Sequence, residues 1–144
     1  MKLSKKSEYG LRALLEFTLV HGKLALRRHD IAIRQHIPVE FLEQILLALK
    51  RAGLLSSRRG MKGGYTLIKH PRDITIGQVI RVLDGPLAPI GCVSKTAYQK
   101  CGDCPYADKA QCPVQHVMGT VRDAIAGILD NYTLADFASG HRKG

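Results

Sequence analysis

The chain has no apolar run approaching the roughly 18 residues that a bilayer-spanning helix needs, so it offers no transmembrane segment. It also lacks a repeat at a fixed period, a low-complexity tract, and any linker longer than an ordinary loop, which excludes a repeat array or a disordered spacer. No secretory leader opens it: Met1 to Lys6 runs directly into a patterned helix, and the cytoplasm is the expected location. Acidic residues are scarce. There are 12 Asp+Glu against 22 Lys+Arg, a formal charge of +10, and the imbalance is local. Residues 1–69 hold 14 basic against 5 acidic side chains, whereas residues 70–144 are nearly neutral. A basic surface confined to the N-terminal half suits a polyanion, either nucleic acid or an anionic membrane. With 144 residues and 45% hydrophobic content, the chain suits one compact domain, or a small domain with an appended element.

What the chain does hold is concentrated in Leu54–Ile68, LLSSRRGMKGGYTLI. Arg58, Arg59 and Lys62 are interleaved with Gly60, Gly63 and Gly64 between two short apolar runs, which predicts a β-hairpin with a cationic tip. The glycines are expected to supply the positive φ of the reversal. The run from Gly60 to Gly64 lacks a Gly-Lys-Ser/Thr ending and leads into a strand, so it is not a nucleotide-binding P-loop.

Three helices precede the hairpin. Ser4 is the expected N-cap of a first helix over about Lys5 to Val20, with Leu11, Leu14, Leu15, Thr18 and Leu19 on its inner face. A short second helix, about Arg28 to Gln35, lacks an evident cap. The third starts with Pro38 as its first helical residue and runs to about Arg51, burying Leu42, Ile45, Leu46 and Leu49 and ending at Gly53. A tight turn between the second and third helices, followed by a basic hairpin, is the plan of a winged helix-turn-helix. On such a fold the third helix enters the major groove. Gln44 can pair with adenine and Glu43 can accept from cytosine N4, with a solvated helix face as the bland alternative for both. Arg58, Arg59 and Lys62 would meet phosphates or the minor groove.

Beyond Pro71, Thr75 and Gln78 form a capping-box pattern for a helix ending near Leu83 or Asp84, stopped by Gly85 and Pro86. A last long helix is expected from Pro113 to about Asn131, with Cys112 near its N-cap. Along it Val114, Met118, Val121, Ile125, Ile128 and Tyr132 step by 4, 3, 4, 3 and 4, a heptad seam that asks for a partner helix and favours a homodimer. A short helical turn is expected over 133–138 and a basic frayed tail after it.

All four cysteines, Cys92, Cys101, Cys104 and Cys112, fall in one polar loop. Such clustering points to a metal or redox centre more than to a disulfide framework. Thiolates select zinc, cuprous copper or iron-sulfur clusters. Only Cys101 and Cys104 make a short-spaced pair, which suits a cluster better than the two pairs of a structural zinc site, yet the ferredoxin spacings are not matched either. A cluster, zinc and reversible thiol oxidation all stay open on spacing alone. Cys101-Gly-Asp-Cys104 lacks the βαβ surroundings of a thiol redox enzyme, and no enzymatic role is expected.

Four runs, MKLSKKSEYGLRALLEF, IPVEFLEQILLALKRAGLLSSRRGMKGGYTL, ITIGQVIRVLDGPLAPIGC and TLADF, together resemble the Rrf2 family of bacterial winged helix-turn-helix transcriptional regulators, whose IscR- and NsrR-like members are cluster-binding sensors. The resemblance spans about Met1 to Phe137. It implies a homodimeric regulator that grips double-stranded DNA with the third helix and wing, and at matching positions it implies Phe41, Glu43, Gln44, Arg59 and Gly60 as DNA-reading residues. It implies further that cysteines of the loop hold an iron-sulfur cluster, 2Fe-2S or 4Fe-4S, with Cys92 and Cys112 as the outer ligands and Cys101 or Cys104 between them. The remaining ligand would be the extra cysteine, His116, or Glu8 reaching from the partner subunit's first helix, and zinc is the alternative metal. Some relatives bind a metabolic enzyme, so a protein partner is a further implication. His36 departs from the glycine usual at the turn and is expected to be left-handed. The expected architecture is mainly α with a small β-hairpin wing: a winged helix-turn-helix domain over 1–84, a sensor loop over 85–112, a dimerisation helix and C-terminal turn over 113–138, and a flexible tail over 139–144.

Overall fold

The computed structural model describes residues 2–143, and the side chains of residues 2–140. Helix α1 (Lys5–Leu19) starts where the Ser4 hydroxyl accepts from the Ser7 N–H at 3.1 Å, as its sequence foretells. Its buried face keeps Leu14 and Leu15 of the expected stripe and is otherwise shifted. Ser7, Gly10, Ala13, Leu14, Leu15 and Phe17 point inward, while Leu11, Thr18 and Leu19 are only partly covered. The cause is close helix packing: a Cβ on Gly10 would run into Leu83 Cδ1 and lie 3.5 Å from Ile45 Cγ2, so small residues must face the neighbours.

Helix α2 (Arg28–Gln35) has no side-chain cap and ends in left-handed His36, φ 53°. Helix α3 (Val39–Arg51) follows. Pro38 is its N-cap and not its first helical residue: ψ of 127° is extended, yet the Pro38 carbonyl already accepts from Leu42 N at 2.9 Å. Leu42, Ile45, Leu46 and Leu49 are each 0% exposed and form the centre of the core, as their spacing requires.

Strands β1 (Leu55–Arg58) and β2 (Gly64–Leu67) pair antiparallel from Leu55 opposite Leu67 to Arg58 opposite Gly64. Leu26, just ahead of α2, adds a bridge to Tyr65 through backbone bonds of 2.9 and 2.7 Å, so the wing is tied to the entrance of the helix-turn-helix. Helix α4 (Ile76–Asp84) is capped by Thr75, whose hydroxyl accepts from Gln78 N at 3.1 Å, and stops at Gly85, φ 91°.

Helix α5 (Pro113–Leu129) begins as expected, with Cys112 as N-cap, and closes before Asn131, whose side-chain amide turns back to Gly127 O at 2.7 Å. None of its residues is buried. Helix α6 (Leu134–Lys143) is longer than the turn expected over 133–138 and continues into the stretch expected as a frayed tail; Gly144 lies outside the described residues. Reciprocal bonds between Thr133 and Asp136, 3.0 and 3.1 Å, start it, and they are the main reason the Asp136 carboxyl sits below its ordinary range. Leu134 enters the core, with Phe137 packed against it, so α6 folds back onto α1.

Candidate nucleic-acid interface and cysteine loop

Arg59, Gly60, Met61 and Lys62 form the exposed wing tip, and Arg58 ends β1 opposite Gly64. Positive φ is needed at Gly60 (100°) and Gly64 (136°). Gly63 is there for room: a Cβ would press on the carbonyls of Arg58 and Gly60, across a turn closed by Gly63 N to Gly60 O at 3.0 Å. The wing is braced on two sides. The Arg27 guanidinium donates to the Met61 carbonyl, and Lys50 Nζ at the end of α3 donates to Ser57 Oγ at 2.8 Å.

On α3, Glu43 and Gln44 are exposed. Phe41 is half-buried with its ring edge-on to Tyr9, centroids 5.5 Å apart, so it props the start of α3 against α1. Glu43 is not free: Arg28 Nη1 donates to its Oε1 at 2.8 Å. Sequence reading passed over Arg27 and Arg28, although a pair of arginines opening a helix, where the macrodipole disfavours cations, was the signal that could have found them.

The loop brings its cysteines together. Cys92, Cys101, Cys104 and Cys112, all free thiols, line one cavity of about 180 Å³ with Tyr98, Lys100, Tyr106, Lys109 and Gln115. The Cys92 thiol beside it pushes the Cys101 thiol above its ordinary range, through their hydrogen bond first. Among the described residues no group of three or more His, Cys, Asp or Glu converges closely enough to hold a metal ion, so the thiols share a cavity without meeting at a point. His116 faces a neighbouring polar hollow of about 490 Å³, and Glu8 pairs with Lys5 at 3.0 Å on α1. Two side chains of α5 hold the turn that carries Cys92: Gln115 Nε2 donates to Cys92 O at 3.3 Å and Arg122 Nη1 to Val93 O at 2.7 Å. The seam residues Val114, Ile128 and Tyr132 are exposed, and Met118, Val121 and Ile125 are partly so.

A tight helix-turn-helix backed by a braced, cationic hairpin defines a winged helix-turn-helix DNA-binding regulator of transcription. Residues 3–140 match the family described as Rrf2, iron-dependent transcriptional regulator, and the chain belongs to it. It is a family of regulators and not of enzymes. The rrf2-like HTH-type regulator of Rhodobacter capsulatus is 42% identical over 93% of this chain and 90% of its own. Among solved structures, CymR, described as the global cysteine regulator of B. subtilis, superposes with a TM-score of 0.78 at 34% identity, covering 96% of this chain and 97% of that one. IscR of T. potens superposes with a TM-score of 0.77 at 31% identity, covering 98% and 88%. No helix among the described residues is long and apolar enough to cross a membrane.

Proposed function

We propose that this regulator is a cytoplasmic homodimer that reads double-stranded DNA with α3 and the wing and senses iron or redox state through an iron-sulfur cluster at its cysteine loop. Its working units are the winged helix-turn-helix over 1–84, the loop over 85–112 and the helical segment after it. The observation that carries the sensing is the single cavity lined by all four cysteines. Soft thiolate donors in one hollow fit a cluster, and Lys100 and Lys109, which line the same cavity, would offset its negative charge. Cys92 and Cys112 would be the outer ligands, with Cys101 and Cys104 completing the set; all four line the cavity, whereas His116 lines a neighbouring hollow, which favours the fourth cysteine over His116. A bound cluster supplies bonds that form or break with iron supply and oxidation.

The residues around the loop offer a route outward. Gln115 and Arg122 join the Cys92 turn to α5, and Asp130 at the end of α5 joins Arg81 of α4. Helix α4 in turn packs on α1 at Gly10. Ordering the loop therefore biases α5, whose seam of Val114, Met118, Val121, Ile125 and Ile128 would meet the same seam of a second copy, while Tyr132, expected to continue it, lies past the end of the helix. At the other end Glu43, Gln44, Arg58, Arg59, Gly60 and Lys62 face the duplex, with Phe41 behind them.

Anaerobic purification with iron and sulfide assays tests the cluster. Coloured protein with iron and sulfide in equal amounts is expected, and Cys92→Ala should lose the colour while staying dimeric. Colourless, iron-free protein that takes up zinc stoichiometrically would sink the cluster in favour of zinc. A second reading, thiol oxidation without a cluster, is favoured by the presence of the free Cys92 and Cys101 thiols in one cavity. Solved relatives include an oxidized form of Staphylococcus aureus CymR as well as IscR of T. potens. Under that reading, mild oxidant applied to iron-free protein yields a Cys92–Cys101 disulfide by peptide mass spectrometry and alters DNA affinity.

A further inference from the structure

We infer that Arg28 is a specificity-determining residue of the DNA-reading head, acting through Glu43. The inference rests on the placement of α3 in the major groove and adds a residue to it. Glu43 stands exposed on α3 in the half of the chain that carries most of the positive charge. An unrestrained carboxylate there would repel phosphates on every sequence alike and would carry little information.

Arg28 changes that. Its Nη1 donates to Glu43 Oε1 at 2.8 Å, across the turn between α2 and α3, with the two side chains 42% and 53% exposed. An exposed ion pair contributes little to stability, so its effect is one of aim and charge. The guanidinium offsets the carboxylate and holds it in one orientation. Among the described residues Glu43 Oε2 takes no hydrogen bond, which leaves it open to accept from a cytosine N4 amine. Arg28 is itself placed against preference, since it is the first residue of α2, where the helix dipole disfavours a cation and no side-chain cap intervenes. Its neighbour Arg27 spends its guanidinium on the wing at Met61 O. The two arginines thus divide their work, one bracing the wing and the other orienting the α3 carboxylate.

The test is selection from a randomised duplex library with the full chain, comparing wild type, Arg28→Ala, Arg28→Lys, Glu43→Ala and the double variant. Arg28→Ala should relax preference at one base-pair position per half-site, by about fivefold or more, and leave the other positions unchanged. Glu43→Ala should relax the same position, and adding Arg28→Ala to it should change nothing further. Arg28→Lys should retain much of the preference, and thermal melts should stay within a degree or two of wild type. The salt dependence of affinity should not change, since no phosphate contact is removed. A uniform loss on all sequences, with the salt slope shallower by about one and the same loss in the Glu43→Ala background, would make Arg28 a phosphate contact and overturn the inference. Selective binding by wild type with unaltered selectivity in Arg28→Ala overturns it too. If wild type enriches no sequence at all, the placement of α3 itself has failed.

Discussion

Asp130, just past the last turn of α5, accepts two hydrogen bonds from Arg81 in the last turn of α4, with Nη2 to Oδ2 at 2.8 Å. That bond holds the Asp130 carboxyl below its ordinary range and the Arg81 guanidinium above its own. A carboxyl lowered by folding contributes stability above its unfolded pKa, about 3.9, and loses it as pH falls through the lower folded value. With both side chains over a third exposed, solvent screening limits the contribution to about 1 kcal/mol or less. Thermal melts of wild type and Asp130→Asn should therefore differ by a few degrees at pH 7 and converge as pH falls below the lowered folded value. A gap that persists in acid would show that the pairing is not what joins the helices.

Gly10→Ala should destabilise the protein although alanine is the better helix former. The added methyl meets Leu83 Cδ1 with α1 and α4 already in contact, and overpacking of this kind costs about 1 to 3 kcal/mol. Urea titration would read it as a lower midpoint at unchanged slope.

Arg59→Ala should weaken binding to a selected duplex by about 1 to 3 kcal/mol and leave the fold intact, because the side chain is exposed at the wing tip. Fluorescence anisotropy at fixed salt measures the loss. Unchanged affinity would remove the wing from the interface.

Ile128→Glu should yield a monomer. Ile128 is 67% exposed within the chain, so the substitution disturbs no internal packing and acts on the seam alone. Sedimentation would show the halved mass, and the circular dichroism spectrum should be unaltered.

Much of the architecture was legible because its boundaries carry local chemistry. Ser4 and Thr75 cap the helices they precede, Pro113 starts α5, and His36 takes the left-handed turn. The face of α1 was legible only in part: Leu14 and Leu15 are buried as the stripe of large residues suggests, but a neighbouring helix also demands Ser7, Gly10 and Ala13. Gly63 was misread for a similar reason: glycine spacing signals φ, but the space a Cβ would fill depends on a chain reversal. Nor does a local pattern link Arg122 to the Val93 carbonyl or Arg28 to Glu43; both contacts exist only once separate helices are packed. Cysteine spacing located the loop, while the shared cavity had to be seen.

The two backbone bonds between Leu26 and Tyr65, with Arg27 and Lys50 holding the same hairpin, leave the wing no hinge of its own. In the proposed dimer, each copy would then carry a fixed stencil for one half-site. Under the proposed sensing, a signal from the thiols would have little purchase on that stencil and would act instead on the gap between two of them. Duplexes carrying one half-site should bind alike in every state of the loop, and sensitivity should appear only when the number of base pairs separating paired half-sites is varied.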